Sequence, residues 1–184
     1  MELSLPNGAV SLGPVNRWLF GKLPVRGDFV SRGLDMARRD ELDRWLSAEM
    51  EQARASSGDE FESRYDYAPA WNFVDRDEAG IWNGGAMCAS VDQVGRRFPV
   101  IMAAPATDVA NAAAMSGACL AALCQAFAEG WDADTLMAAD LTGTDLPWTP
   151  EEPEWALLGE DGPALVLAGR FPQGVVSAML EIAQ

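Results

Sequence analysis

A chain of 184 residues, 49% of them hydrophobic, is long enough to close its own core without disulfides or metal and too apolar to be a disordered tail. Its formal charge of -15, from 28 acidic against 13 basic residues, argues against nucleic-acid or anionic-membrane partners, which call for a basic patch. The chain has no histidine, which removes the commonest general base, the Ser-His-Asp and Cys-His arrangements and most zinc chemistry.

Met1 to Val10 lacks a basic segment followed by an apolar one, so no signal peptide is expected. Residues Asn16 to Lys22 alternate as a strand does, and Pro24 pushes Leu23 into extended geometry. A helix is predicted from about Met36 to Ser56. It carries Leu42, Trp45, Leu46, Met50 and Ala53 on one stripe, with Gly58 as its C-terminal stop. A short second helix is predicted within Asp59 to Tyr67. Strands are predicted over Trp71–Val74, Ile81–Ala89 and Phe98–Ala103, bounded by Pro69, Gly80 and Gly95. Thr107 or Asp108 can cap a long helix to Glu129, with Met115, Cys119, Leu123 and Phe127 at i, i+4 steps. Gly130 to Pro153 is acidic, proline-bearing and aperiodic, and reads as a surface excursion with one helical turn around Thr135–Ala139. Trp155–Leu158 and Ala164–Ala168 can form a hairpin, and Pro172 opens a terminal helix through Ile182. Helices and strands alternate irregularly without repeats, which predicts one layered α/β domain over 1–184 with helices covering a mixed sheet.

Charge divides unevenly along that domain. Up to Arg97 there are twelve basic and sixteen acidic residues; beyond it Arg170 stands alone against twelve acids. The second half therefore predicts an acidic face. Val100 to Phe127, the longest apolar stretch, is broken by Pro105, Asp108, Asn111 and Gln125, so it reads as a core strand and helix and not a membrane span. Cys88, Cys119 and Cys124 lie in apolar surroundings without paired spacing. They read as small buried hydrophobes in a reducing compartment, and no metal set is expected from them.

Two segments can carry chemistry. Gly21-Lys22-Leu23-Pro24-Val25-Arg26-Gly27-Asp28 holds the one lysine of the chain, every other basic residue being arginine. Either the site needs a compact ammonium in place of a planar fork, or the lysine is there by chance. The spacing is not that of a phosphate-binding loop. The loop reads as a strand end turned by Gly21 and Gly27, with Asp28 accepting from backbone amides or pairing with Arg26. In Ser90-Val91-Asp92-Gln93-Val94-Gly95-Arg96-Arg97-Phe98-Pro99, Ser90 and Asp92 share one side of an extended segment. A bare carboxylate is a weak base for a hydroxyl, and the plainer reading is a turn in which Asp92 pairs with Arg96. Trp18, Trp45, Trp71 and Trp82 read as core. Trp131, Trp148 and Trp155 sit among carboxylates and either face a basic partner or fold the excursion back onto the domain.

On these residues the chain resembles the TagF (ImpM) family of type VI secretion accessory proteins. Three blocks carry the resemblance: Trp18 to Phe29 (W-x-F-G-K-L-P-x-R-G-D-F), Ala68-Pro69-Ala70-Trp71-Asn72-Phe73, and Ser90 to Pro99. Ala89 and Val100 depart from the family's Pro and Leu. No motif is recognised beyond Pro105, so the motif-bearing part is about 16–104 and the acidic half 105–184. The resemblance implies a three-layer α/β/α sandwich around a mixed, largely antiparallel sheet. It also implies a cytoplasmic, non-enzymatic repressor of the secretion apparatus that contacts a forkhead-associated scaffold protein, with no cofactor or metal and no membrane insertion. The candidate partner-binding residues are then Lys22, Arg26, Asp28, Ser90, Asp92 and Arg96. A rival reading gathers Lys22, Arg26, Ser90 and Asp92 around a pocket for a small ligand or nucleotide, or for catalysis. A third assigns an assembly or chaperone role to the acidic surface at Glu151, Glu152 and Glu154.

Overall fold

A computed structural model of the chain describes residues 16–183; Met1–Val10, where no signal peptide is expected, lies outside them. Strand β1 (Trp18–Lys22) and the short β2 (Phe29–Arg32) lead into α1 (Met36–Ser57). A 3-10 turn (Gly58–Glu60) and α2 (Phe61–Tyr65) precede β3 (Trp71–Arg76), β4 (Trp82–Cys88) and β5 (Val100–Ala106). Then come α3 (Val109–Glu129), α4 (Ala133–Ala138), the hairpin β6 (Glu154–Gly159) and β7 (Gly162–Ala168), and α5 (Val175–Ile182). The fold is mixed α/β. Its seven strands run in the order β2-β1-β5-β4-β3-β6-β7. The expectation of a mixed sheet is corrected: among the described residues every pairing is antiparallel.

Alternation along the strands sends successive side chains to two clusters. Trp18, Phe20, Trp71, Phe73, Ile101 and Trp155 pack with Leu42, Leu46 and Met50 of α1 and with α5. Leu19, Ala86, Val100 and Met102 pack with Cys119, Leu123 and Ala126 of α3 and with Leu136 of α4. The small residues of α3 let it lie directly on the sheet. A Cβ on Gly84 would sit 1.8 Å from the Ala112 carbonyl oxygen. Helix α3 is long and apolar enough to cross a membrane by composition, yet half of its most apolar window is buried in the molecule, as in a core helix. Asn72 crosses from β3 to α3 by donating to Ser116 Oγ (3.1 Å), which in turn donates to Ala113 O.

The two long helices start and stop where the sequence places them. The Asp35 carboxylate accepts from Arg38 N, and the Asp108 carboxylate from Asn111 N. Gly58 ends α1, and Gly130, in the left-handed region, ends α3. Two expectations are corrected, and one strand, β2, was not expected from the sequence. Strand β2 has only four residues, too few for alternation to register. Helix α5 opens at Val175 after Gly174, and not at Pro172. Cys124 is exposed; only Cys88 and Cys119 are buried, and burial pushes both thiols up to about 12.

The excursion after Gly130 folds back onto α3. Thr144 N donates to Ala114 O, and Leu136 and Trp148 are buried. Trp155 is 1% exposed and stacks on Phe73 at 4.3 Å, so Trp148 and Trp155 belong to the interior and not to a partner-facing acidic surface. Trp131 is half-buried and donates to Glu129.

The last helix is capped from a distance. Glu49 of α1, 5% exposed, accepts from Gly174 N (3.1 Å) and Val176 N (3.4 Å) at the start of α5, which has no side-chain cap of its own. A buried carboxylate on a helix N-terminus satisfies orphan donors and opposes the helix dipole. Glu49→Ala should therefore cost about 2 kcal/mol and loosen α5 first, read as earlier amide exchange at Val176–Leu180 and a lowered melting temperature. Of the three cysteines, Cys124 alone should react with a thiol reagent in the native protein, and all three after denaturation.

Candidate functional site

The loop after β1 and the turn before β5 form one structure. Its centre is an ion pair: Lys22 Nζ donates to Asp92 Oδ2 at 2.6 Å, and the two residues are 4% and 5% exposed. The Phe29 ring lies 5.0 Å from the ammonium on a second side. Asp92 Oδ2 also accepts from Arg96 Nε (2.8 Å), while Oδ1 accepts from the backbone N–H groups of Val94 (3.0 Å) and Arg96 (2.9 Å). Burial is the largest single influence on this carboxyl and opposes its charge. The hydrogen bonds from Lys22, from the Arg96 amide and side chain, and from the Val94 amide together outweigh it, and they hold the carboxyl well below the usual carboxylate range.

Local sequence explains each half. Val91 bridges Arg97, and Asp92 closes the tight turn between them by bonding its own backbone two residues on. Gly95 N donates to Asp92 O, and Asp92 N to Arg96 O, both at 3.0 Å. In the other half, Pro24 and Val25 form the corner, with Arg26 N donating to Leu23 O (3.1 Å). Gly27 therefore does not make the turn, as the sequence suggests it would; its φ is negative-side and its surroundings are open. Gly21 lies inside β1, at φ 129°, where a Cβ would stand 2.1 Å from Pro99 O. That close approach brings β1 against the start of β5 and sets Lys22 over Asp92.

Further bonds lock the two loops together. Gln93 N donates to Arg26 O (3.1 Å), and an Arg96 Nη donates to Gly27 O. The turn is also tied to the helices. Ser90 N donates to the buried Tyr65 hydroxyl, Arg97 clasps Asp66 with two bonds of 2.8 Å, and Arg54 donates to Arg97 O.

The six candidate residues thus separate. Lys22, Ser90 and Asp92 are buried and support the site from within. Arg26, Asp28 and Arg96 face solvent. Arg26 lies 3.8 Å from Asp132, and Asp28, expected to pair with Arg26 or cap the backbone, has no side-chain partner among the described residues. Sequence reading missed two neighbours, Phe29 (49% exposed) and Val94 (67% exposed), which present apolar surface beside these charges. The signal for them was available: each is a large apolar residue within or directly after a polar turn.

At the centre of the residues the rival reading gathers, Lys22 and Asp92 fill one another's space. All four lone-pair positions of Asp92 are engaged, so it cannot serve Ser90 as a base, and Ser90 Oγ is buried without a hydrogen-bond partner among the described residues. A cavity of about 600 Å³ lies elsewhere, beside Asp75.

A family model described as "TagF N-terminal domain, Type VI secretion system-associated" matches residues 19–142. The match runs past the recognisable motifs and takes in α3 and α4. The fold is similar to the crystal structure of PA0076 from Pseudomonas aeruginosa PAO1, with a TM-score of 0.56 and 22% identity over 91% of this chain and 78% of that one. At that identity the likeness is one of fold alone. No curated protein matches the chain significantly.

Removing the ammonium leaves a buried carboxylate with only part of its compensation. Lys22→Met should cost about 3 kcal/mol, the lower end for a broken buried pair because Arg96 remains. Lys22→Arg should also destabilise, since a planar fork replaces a point charge in a site with no room for it. The Asp92 carboxyl is lowered on folding, so its stabilising effect is complete above the unfolded carboxylate range near pH 4. That effect is lost as pH falls through the lower folded value. Acid unfolding followed by circular dichroism should show this loss in the native protein and lack it in Asp92→Asn.

Proposed function

We infer the function of this chain from its family: it belongs to the TagF N-terminal domains, which are associated with type VI secretion systems. In this proposal 1–184 is one regulatory domain with a three-layer α/β/α arrangement, a reading supported by the two helix-covered clusters on alternate strand residues. It is a non-enzymatic, cytoplasmic repressor of secretion assembly or firing. It acts after translation, by contact with a forkhead-associated scaffold protein of the apparatus.

The observation that carries the proposal is the outer surface of the paired loops. Arg26, Asp28, Phe29, Val94 and Arg96 stand on a backbone that the buried ion pair, Gly21 and Tyr65 hold in one shape. Exposed apolar groups ringed by charge on a rigid frame suit protein contact, because little side-chain or loop entropy is left to lose on binding. The side chains of Asp28 and Val94 have no hydrogen-bond or ring partner among the described residues, so their exposure serves no contact there.

Asp28→Arg combined with Val94→Asp should leave the melting curve within about 0.5 kcal/mol of the native protein. The same double variant should weaken binding to the purified scaffold by about tenfold or more and raise secretion towards that of cells lacking the protein. Unchanged binding with an intact fold would remove this surface from the function. The third reading separates cleanly: charge reversal at Glu151, Glu152 and Glu154 should leave scaffold binding largely intact and mainly slow association.

A further inference from the structure

A second region has the character of a binding site and takes no part in the loop surface. A cavity of about 600 Å³ opens at the other end of the sheet, between the first turns of α1 and the β3–β4 turn. Trp18, Asp75 and Asn83 form its floor, with Arg38, Glu78 and Arg170 around them. Asp75 and Asn83 are cross-strand partners at the ends of β3 and β4, so both side chains rise from the same face.

The floor is short of donors. Asp75 is 3% exposed, and its Oδ2 accepts from Arg38 (3.3 Å) and Arg170 (3.1 Å), but its Oδ1 is buried with no hydrogen-bond partner among the described residues. Asn83 spends its amide N–H on Ile81 O (3.1 Å), and its Oδ1 receives no bond. The arginines are largely committed. Arg38 bridges Glu41 and Asp75 and stacks 4.9 Å from the Phe171 ring, and Arg170 packs on the same ring at 5.4 Å. Counting the whole lining, Asp35, Glu41, Asp75, Asp77 and Glu78 face Arg38, Arg44 and Arg170, an acidic surplus. An anion entering here would meet carboxylates and acceptors. A cation bearing N–H donors would meet their complement, while the Trp18 ring is already covered by the Arg38 guanidinium at 5.9 Å.

We propose that this recess binds a primary ammonium on an aliphatic stem, namely a lysine side chain of a basic partner segment, with Asp75 Oδ1 and Asn83 Oδ1 as acceptors on its floor and Glu78 at its rim. A lysine fits better than an arginine, because the flat stacking positions are already occupied by Arg38 and Arg170. Burial now pushes the Asp75 carboxyl upward against the pull of Arg170 and Arg38, and a bound ammonium would add to that pull.

The test is titration of the full chain, followed by backbone amide shifts, with three probes: a capped pentapeptide with one central lysine, its Nε-acetylated form, and 1,5-diaminopentane. The lysine peptide should give saturable shifts at Asp75, Ala79 and Asn83, and acetylation should weaken binding by about tenfold or more. Asp75→Asn should abolish the shifts. Because Asp75 also holds Arg38 and Arg170, Glu78→Gln on the exposed turn gives an independent arm and should weaken binding severalfold with the fold unchanged. Equal binding of the acetylated peptide, shifts confined to Glu151–Glu154, or no saturable binding overturns the site. Binding of the diamine without the peptide overturns the polypeptide source.

Discussion

The buried pair of Lys22 and Asp92 is the constraint on which the rest of the paired loops depends. Two charges taken out of water cost several kcal/mol each unless their bonding is complete. Here it is nearly so for the carboxylate, which has four donors from three residues. That completeness demands a fixed geometry: β1 must press against Pro99, the turn must close at Gly95, and Arg96 must fold back over Gly27. A neutral packing of the same volume would tolerate slippage between the loops, whereas an ion pair with one satisfied arrangement does not. The choice of lysine follows. One donor atom meets one acceptor oxygen in a narrow space, and the arginines of the neighbourhood serve instead where two bonds to a carboxylate are made, as Arg97 does to Asp66.

A second constraint works at the other end of the chain and uses indoles. Trp45 donates to Pro172 O, Trp71 to Val175 O and Trp155 to Arg170 O. Three rings that fill the core thus also hold residues 170–175, and Glu49 completes the anchorage by receiving the α5 amides. An eight-residue helix has too few internal bonds to be stable alone. Its position is set by groups from α1, β3 and β6, so the final helix belongs to the core around the first.

What could be read from sequence, and what could not, follows the range of the forces involved. The end of α1 and the start of α3 were legible because Gly58 and Asp108 act on backbone within four residues of themselves, and Asp35 and Gly130 do the same at the other two ends. The strands from β3 to β5 were legible from apolar runs between turn residues, though their ends shifted. Strand β2 was not, because four residues next to a turn carry no periodic signal, and its pairing with β1 decides it. The interior place of Trp148 and Trp155 was hidden for a related reason: their acidic neighbours in sequence are not their neighbours in space. At the site, the lone lysine was correctly singled out, and the pairing of Asp92 with Arg96 was read from the turn itself. The partner of Lys22 lies seventy residues away, and no local pattern could show that the most conspicuous residue of the loop is a buried one.

The same distinction between neighbours in sequence and in space reshapes the acidic half. Asp132 and Asp134 do not add to an external field, because they face Arg26 and Arg32 across the edge of the sheet. Glu154 is engaged by the Trp148 indole. Among the described residues, the carboxylates left without a partner after α4 are Asp140, Asp145, Glu151, Glu152, Glu160 and Asp161, from the end of α4 through the β6–β7 turn. Clustered charge of one sign acts at the range of a Debye length, about 8 Å at physiological salt. It can favour the approach of a basic partner without fixing how that partner docks. Orientation needs a surface of defined shape, and the molecule has one where its two loops are locked by Lys22 and Asp92. Approach and docking are therefore separable here, because the residues that supply the net charge are not those that hold the shape.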